Sequence, residues 1–211
     1  MIIDHTHPEY TKQGGSRLNG ARFYSEEIVA NIIPHVNTDR HWITIRAGEK
    51  AADHSIYFIH NNLNPGRYAF LKKYNDVILV CGIPETCDKV KEYGTPIYLP
   101  LSIDLDYVRQ FKTKIKTKHA AFAGRINKVK GCRLPSGTAT LHGLPREKLL
   151  KEMAEYAYIY AVGRTALEAK ALGCRILPYD PRFPDPSFWQ LVDNKDAAKL
   201  LQQELDRIDG I

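Results

Sequence analysis

Cysteine is sparse in this chain. Cys81, Cys87, Cys132 and Cys174 are the only four in 211 residues. No two form a Cys-x-x-Cys pair, and their spacings match no zinc site, so neither a structural metal nor a disulfide framework is expected to organise the fold. Cys81 and Cys174 border apolar runs and read as small core residues, reduced thiols of a cytosolic protein. No apolar run approaches the roughly 20 residues that span a bilayer. The start, Met1-Ile2-Ile3-Asp4, lacks the basic and long apolar regions of a signal peptide. A cytoplasmic location without a transmembrane segment is the expectation. Acid is missing altogether from Tyr107 to Arg146, a stretch that carries ten Lys and Arg residues. From Asp180 onward the balance reverses, with seven acids against four bases. Such asymmetry points to a polyanionic ligand, whether phosphate, nucleotide or nucleic acid, or else to a solvated basic face.

With 44% hydrophobic and 26% charged residues, the composition is that of a globular protein long enough for one large or two small domains. Short apolar runs alternate with helical patterns. Strands are predicted at 1–4, 42–46, 55–60, 76–81, 96–101, 118–123, 138–142, 157–162 and 175–179, from β-branched and aromatic enrichment. Helices are predicted at 17–33, 65–74, 84–93, 145–156, 165–172 and 195–208; three of them open on proline, which suits a first helical turn. This alternation implies mostly parallel sheets with right-handed crossovers. Two such units fit, 1–105 and 106–211, the second including the closing helix 195–208. The glycine-rich and basic loops follow Asp4, Ala123 and Val162, at strand carboxyl ends, where open α/β sheets bind ligands.

Three segments carry chemistry. In Phe122-Ala123-Gly124-Arg125-Ile126-Asn127-Lys128-Val129-Lys130-Gly131 a strand ends on a glycine that permits a close turn. Arg125 then offers a bidentate grip on phosphate, and Lys130 a compact positive charge. Together they suit the growing charge of a diphosphate leaving group. Downstream, His142-Gly143-Leu144-Pro145 opens one helix, and Gly163-Arg164-Thr165-Ala166-Leu167-Glu168-Ala169 follows a strand and opens another. Helix N-termini present N–H groups and partial positive charge to phosphate. Gly163, Arg164 and Thr165 are therefore candidate phosphate holders, and Glu168 is either a ribose acceptor or an ordinary helical glutamate.

The succession Gly-Arg-x-x-x-x-Lys-Gly, His-Gly-x-Pro-x-x-x-Leu and Leu-Glu-Ala-x-Ala-x-Gly-x-x-Ile resembles the donor-binding lobe of GT-B glycosyltransferases, above all the group-one family of nucleotide-sugar-dependent enzymes. The resemblance is strongest over residues 118–178. It implies two Rossmann-like lobes, an N-terminal acceptor-side one and a C-terminal donor-binding one. It implies a sugar transfer of hexosyltransferase type from a nucleotide-diphosphate sugar as co-substrate, with no required cofactor or metal. Arg125 and Lys130 would contact the donor diphosphate, Glu168 the ribose, and Gly143 and Leu144 the nucleobase. Ile56–Asn61 resembles the strand ending in a histidine beside the sugar, which makes His60 the catalytic candidate. Gly14 and Gly15 resemble the N-terminal glycine loop. The family's second glutamate, eight residues before Glu168, is replaced by Tyr160.

A retaining transferase needs only charge stabilisation and positioning. An inverting one needs a base, for which Asp4, His5 and His7 are candidates. Asp4-His5-Thr6-His7 also resembles the metal site of barrel-type hydrolases, but no matching ligand set follows on later strands. Lys112, Lys114, Lys116 and Lys118 alternate with other residues and would share one face of an extended chain. That row either tracks a nucleic-acid backbone or blunts an edge strand. A basic transferase suggests an anionic acceptor, and hydroxymethylated pyrimidines in phage-type DNA are the specific expectation; an anionic membrane surface is another. A non-catalytic nucleotide- or nucleic-acid-binding protein on the same scaffold is the other reading, and the oligomeric state is open.

Overall fold

The computed structural model describes residues 2–3, 20–44, 51–59, 65–124 and 134–210. They form a two-lobed α/β, Rossmann-like architecture of two all-parallel sheets flanked by helices. The first unit comprises Met1–Leu101 with Asn194–Ile211, the second Ser102–Asp193.

The first sheet contains β1 (Ile2–Ile3), β2 (His41–Ile43), β3 (Ser55–Ile59), β4 (Val77–Cys81) and β5 (Thr95–Tyr98), in that order across it. Every residue of β3 and β4 is buried, as expected of near-continuous apolar runs covered on both faces. Ile43, Tyr57, Ile59, Leu79 and Cys81 pack together with Tyr68, Leu71 and Val90. Trp42 and Phe58 stack with ring centroids 6.3 Å apart. Helix α1 (Gly20–Asn31) follows β1, and α2 (Pro84–Val90) follows β4. The segment Pro65–Lys73, expected as a helix, is a 3-10 helix. Its apolar residues explain the difference. Tyr68 and Leu71 are fully buried and Tyr74 packs against the same core. A repeat of three aligns on one face of a 3-10 helix and drifts on an α-helix.

The second sheet contains β6 (Lys118–Ala123), β7 (Ala139–Leu141), β8 (Tyr156–Tyr160) and β9 (Arg175–Leu177), in the order β7-β6-β8-β9. Its helices are α3 (Leu105–Arg109), α4 (Arg146–Ala154) and α5 (Arg164–Ala171). The periodicity missed α3. Its signal is Asp104, whose carboxylate accepts a hydrogen bond from the Tyr107 amide at 2.8 Å, a helix N-cap.

The closing helix α6 (Asn194–Asp209) buries Asn194, Ala197, Ala198, Leu201 and Leu205 along one stripe. Expected in the C-terminal lobe, it belongs instead to the first unit. Asn194 donates to Glu27 of α1 at 3.2 Å, Gln202 accepts from the Asn37 amide at 2.6 Å, and Asp209 pairs with Arg40 at 2.6 Å.

Arg40 belongs to a charged network at the amino ends of β2, β3 and β4. His54 and Asp76 both have positive φ, 50° and 54°, a conformation that costs a non-glycine residue of order 1–3 kcal/mol. His54 Nδ1 lies 2.5 Å from Asp76 Oδ2, and Nε2 lies 2.9 Å from Asp39 Oδ1. A carboxylate at each nitrogen favours the imidazolium, the form in which both nitrogens donate. Arg40, only 4% exposed, reaches Asp76 at 2.9 Å as well. The hydrogen bonds His54 makes to Asp76 and Asp39 raise its pKa, although burial and Arg40 oppose them. The His54 hydrogen bond lowers Asp39. Asp76 is pushed up by burial, but His54 and Arg40 outweigh that and lower it.

The consequence for stability has a definite sign. The contribution of His54 is complete below its unfolded pKa of about 6.5 and is lost as pH rises through its raised folded value. The carboxylate contributions are complete above about 3.9 and are lost as pH falls through their lowered folded values. Thermal unfolding followed by circular dichroism is therefore expected to show a decline above pH ~6.5 that the His54→Gln variant lacks. The difference should shrink with salt, because the pair is half-exposed. Equal slopes in the two proteins would remove the network from the stability of the fold.

Candidate functional site

The two sheets differ in one respect that bears on ligand binding. In the first, each strand is followed across the sheet by the next one in sequence. In the second, the chain leaves β6 toward β7 on one side, and leaves β8 toward β9 on the other. The carboxyl ends of β6 and β8 are therefore a topological switch point, where two connections diverge and leave a crevice.

Two glycines stand at this point. Gly124, with φ 148°, directly follows β6. Gly163 caps α5 with φ 64° and ψ −143°, a conformation essentially restricted to glycine. Its carbonyl accepts from the amides of Ala166 and Leu167 at 3.0 and 3.3 Å. The amides of Arg164 and Thr165 precede the first intrahelical bonds, so this helix end can address an anion.

Glu168 sits one turn into α5 and is 6% exposed. Its Oε1 is 3.2 Å from Arg164 Nη2, an i,i+4 partner, and 3.1 Å from Arg146 Nη2 at the start of α4. Arg146 also lies over the Tyr107 ring, 5.7 Å from its centroid. Glu168 is thus a buried carboxylate shared by two guanidiniums, and the contact from Arg146 had no signal in the local sequence.

A cleft of about 560 Å³ opens beyond the ends of β8 and β9, within the range of small-molecule sites. Tyr160, Tyr179, Phe183 and Trp189 line it, with five prolines. Tyr179 packs edge-on against Phe122, centroids 5.4 Å apart, and tilts 32° to Phe183 at 6.5 Å. The Asp180 carboxylate is held by both Nε and Nη2 of Arg182. Sequence reasoning missed this cleft, although Pro178–Trp189 shows the density of proline and aromatic residues that builds it.

Of the residues expected at the site, Gly124, Gly163, Arg164, Thr165 and Glu168 gather around β6, β8 and α5. Gly143 and Leu144 follow β7, the neighbour of β6, and a Cβ built on Gly143 meets nothing within 4 Å. Arg125, Lys130, His60, Asp4, Gly14, Gly15, His5 and His7 lie outside the described residues. Among those that are described, no cluster of three metal-ligating side chains occurs, and no helix is long and apolar enough to cross a membrane.

The lysine row does not form an extended face. Residues 112–117 are irregular, with a bend at 114–115, and strand geometry begins only at Lys118. Lys116 turns inward, its Nζ donating to the carbonyls of Ala154 at 2.7 Å and Leu172 at 2.8 Å. Lys118 pairs with Glu155 at 2.6 Å and Glu152 at 3.3 Å, hydrogen bonds that raise its pKa. Lys112 lies beside Gly173, and Lys114 is exposed. The row ends at Lys118, the first residue of β6, so a strand length of about 20 Å separates it from Gly124 at six residues of ~3.3 Å each.

No protein-family model, curated protein or solved structure matches the chain.

Proposed function

We propose that the protein is a glycosyltransferase of the GT-B kind, which moves a sugar from a nucleotide-diphosphate sugar to an acceptor. The observation that carries this reading is the switch point of the second sheet. There a glycine-opened helix and a buried glutamate stand at the strand ends, in the order that the donor-site motifs require. In this reading the α5 amino end and Thr165 bind the diphosphate together with Arg125 and Lys130. Glu168 orients the ribose, its Oε1 fixed by Arg146 and Arg164. Gly143 and Leu144 border the base, and His60 lies by the transferred sugar.

An acceptor oxygen attacks the anomeric carbon, the bond from that carbon to the diphosphate oxygen breaks, and the acceptor proton passes to a base. Asp4 fills that last role if the reaction inverts. The leaving diphosphate takes the bonding electrons, and the cations around it stabilise the charge as it grows.

Tyr160 favours a second reading, a nucleotide binder without turnover, because it stands where the resembled family carries its second glutamate. Calorimetry with nucleoside diphosphates and nucleotide sugars tests both. One nucleotide is expected to bind the wild type at micromolar affinity. Gly163→Ala, Glu168→Gln and Arg125→Ala should each weaken it about tenfold or more, equivalent to ~1.4 kcal/mol. Absence of binding across the panel sinks the proposal. Binding without release of nucleoside diphosphate, in the presence of sugar, nucleoside and DNA acceptors, favours the second reading.

A further inference from the structure

Two thiols meet at the carboxyl end of the first sheet. Cys81 ends β4, in register with Ile59 and Tyr98, and Cys87 lies on α2, the helix that follows. Five residues separate them in the sequence, a spacing that marks no known pair. The fold brings them together. Cys87 packs against the cluster that contains Cys81, and the two side chains share a hydrogen bond. Both are free thiols. Cys174, the third described cysteine, belongs to the second unit, where its thiol donates to the Met153 carbonyl at 3.4 Å.

The two thiols differ in access. Cys81 has no exposed surface, whereas Cys87 is half-buried, so a small oxidant meets Cys87 first. Burial holds the Cys87 thiol above its ordinary range, with Asp88 adding to the effect, against the hydrogen bond from Cys81, which favours the Cys87 thiolate. Burial and the neighbouring Cys87 push Cys81 further up. Cys87 is therefore the attacking sulfur and Cys81 the one that resolves. The low thiolate fraction slows the first step near neutral pH, so the pair suits sustained oxidation rather than a brief pulse.

We propose that Cys81 and Cys87 form a reversible oxidation site, at which a hydroperoxide joins the two sulfurs and a thiol reductant parts them. The Cys87 thiolate attacks one peroxide oxygen and the O–O bond breaks. The departing hydroxide takes the proton that Cys87 gave up and becomes water, leaving a sulfenic acid on Cys87. The Cys81 sulfur beside it then attacks that sulfur. The S–S bond forms, the S–O bond breaks, and the hydroxyl leaves with the Cys81 proton as a second water. The two thiols lose two electrons in all, and the peroxide gains them. The link fastens α2 to the end of β4, and a disulfide of this kind in a reducing compartment is a transient one. The proposal concerns thiol chemistry alone and stands or falls apart from the transferase reading.

The test uses the full chain, folded and reduced, incubated with hydrogen peroxide at mildly alkaline pH. Remaining thiols are blocked with iodoacetamide under denaturing conditions, and the protein is digested with trypsin. Cleavage after Lys73 and Lys89 leaves both cysteines on one peptide. In the oxidised protein this peptide is expected without alkyl groups and two hydrogens lighter than its reduced form. Cleavage after Glu85, between the cysteines, should then yield two fragments that stay joined until dithiothreitol parts them. Dithiothreitol applied to the folded oxidised protein should restore both alkylation sites. The Cys132→Ser variant should form the same link, and Cys87→Ser should leave Cys81 alkylatable after the same treatment. Four outcomes overturn the proposal: both cysteines still alkylatable, Cys87 taken on to sulfinic acid beside an intact Cys81, Cys87 joined to Cys132 instead, or Cys81 consumed in Cys87→Ser. Because the wild type carries the main result, a failure of either variant to fold leaves the test intact.

Discussion

Glu168→Ala is expected to lower the unfolding free energy by about 3 kcal/mol, read from urea midpoints at constant m-value. The carboxylate is nearly inaccessible, and the side chains of Arg146 and Arg164 are only 15% and 11% exposed. Removing a buried anion from between two guanidiniums leaves like charges close together without the group that offset them. That penalty exceeds the loss of an ordinary surface ion pair several-fold. Glu168→Gln keeps the shape and one carbonyl acceptor, so a loss of about 1–2 kcal/mol is expected there. The alanine variant would therefore confound ligand loss with a loosened second unit, which is why the glutamine variant is the one to use in binding experiments. A change below about 1 kcal/mol in Glu168→Ala would mean that the two guanidiniums do not depend on this carboxylate.

Lys116→Met is expected to cost about 2–3 kcal/mol by the same measurement. The ammonium of Lys116 joins the carboxyl-terminal ends of α4 and α5, where it donates to Ala154 and Leu172. Helix carboxyl ends carry partial negative charge and carbonyls without intrahelical donors. One cation serves both ends. Methionine matches the stem in bulk but supplies no donor. The desolvation penalty of the part-buried ammonium, which methionine does not incur, offsets part of the loss and holds the figure below the sum of two charge-assisted bonds. Lys114, exposed at the neighbouring bend, is the control, and Lys114→Ala should leave stability within about 0.5 kcal/mol. Equal effects at the two positions would refute the assignment of Lys116 to the helix ends. The pair also tests the basic row as a nucleic-acid surface. A phosphate contact at Lys114 would lower the salt slope of DNA binding by about one on its removal, without loss of stability.

Much of the architecture was legible because its elements are dictated locally. The β6 strand matches its predicted bounds, Lys118–Ala123, since His-Ala-Ala-Phe-Ala is bounded by lysine and glycine. The apolar runs of β3 and β4 could be nothing but covered strands. The stripe Ala197, Ala198, Leu201, Leu205 marks α6 as amphipathic. Where the helix docks was not legible, because Glu27, Asn37 and Arg40, the partners of its Asn194, Gln202 and Asp209, lie more than 150 residues away in sequence. The order of strands across each sheet depends on the paths of the connections and leaves no periodic trace. The lysine row failed as an extended face for a related reason. Alternation specifies a face only if the chain is straight, and the pull of two helix ends on Lys116 bends it. At the site, the glycines, Arg164 and Glu168 were visible as a motif, with Arg164 read as a phosphate holder, whereas its Nη2 lies 3.2 Å from Glu168. Arg146 was not, since only the fold brings the start of α4 to α5.

The path of the chain through its two units bears on how the protein is made. The first unit is interrupted: Met1–Leu101 emerges early, but α6, which supplies one of the two carboxylate partners of buried Arg40, belongs to Asn194–Ile211. On a ribosome adding about 5–20 residues per second, the first sheet would stand without this helix while the whole of Ser102–Asp193 is translated, a wait on the order of ten seconds. The second unit is continuous and faces no such delay. Nascent-chain folding should therefore run against the order of synthesis, the middle of the polypeptide maturing before its beginning, and the exposed apolar flank of the early segment is where a trigger-type chaperone would be engaged.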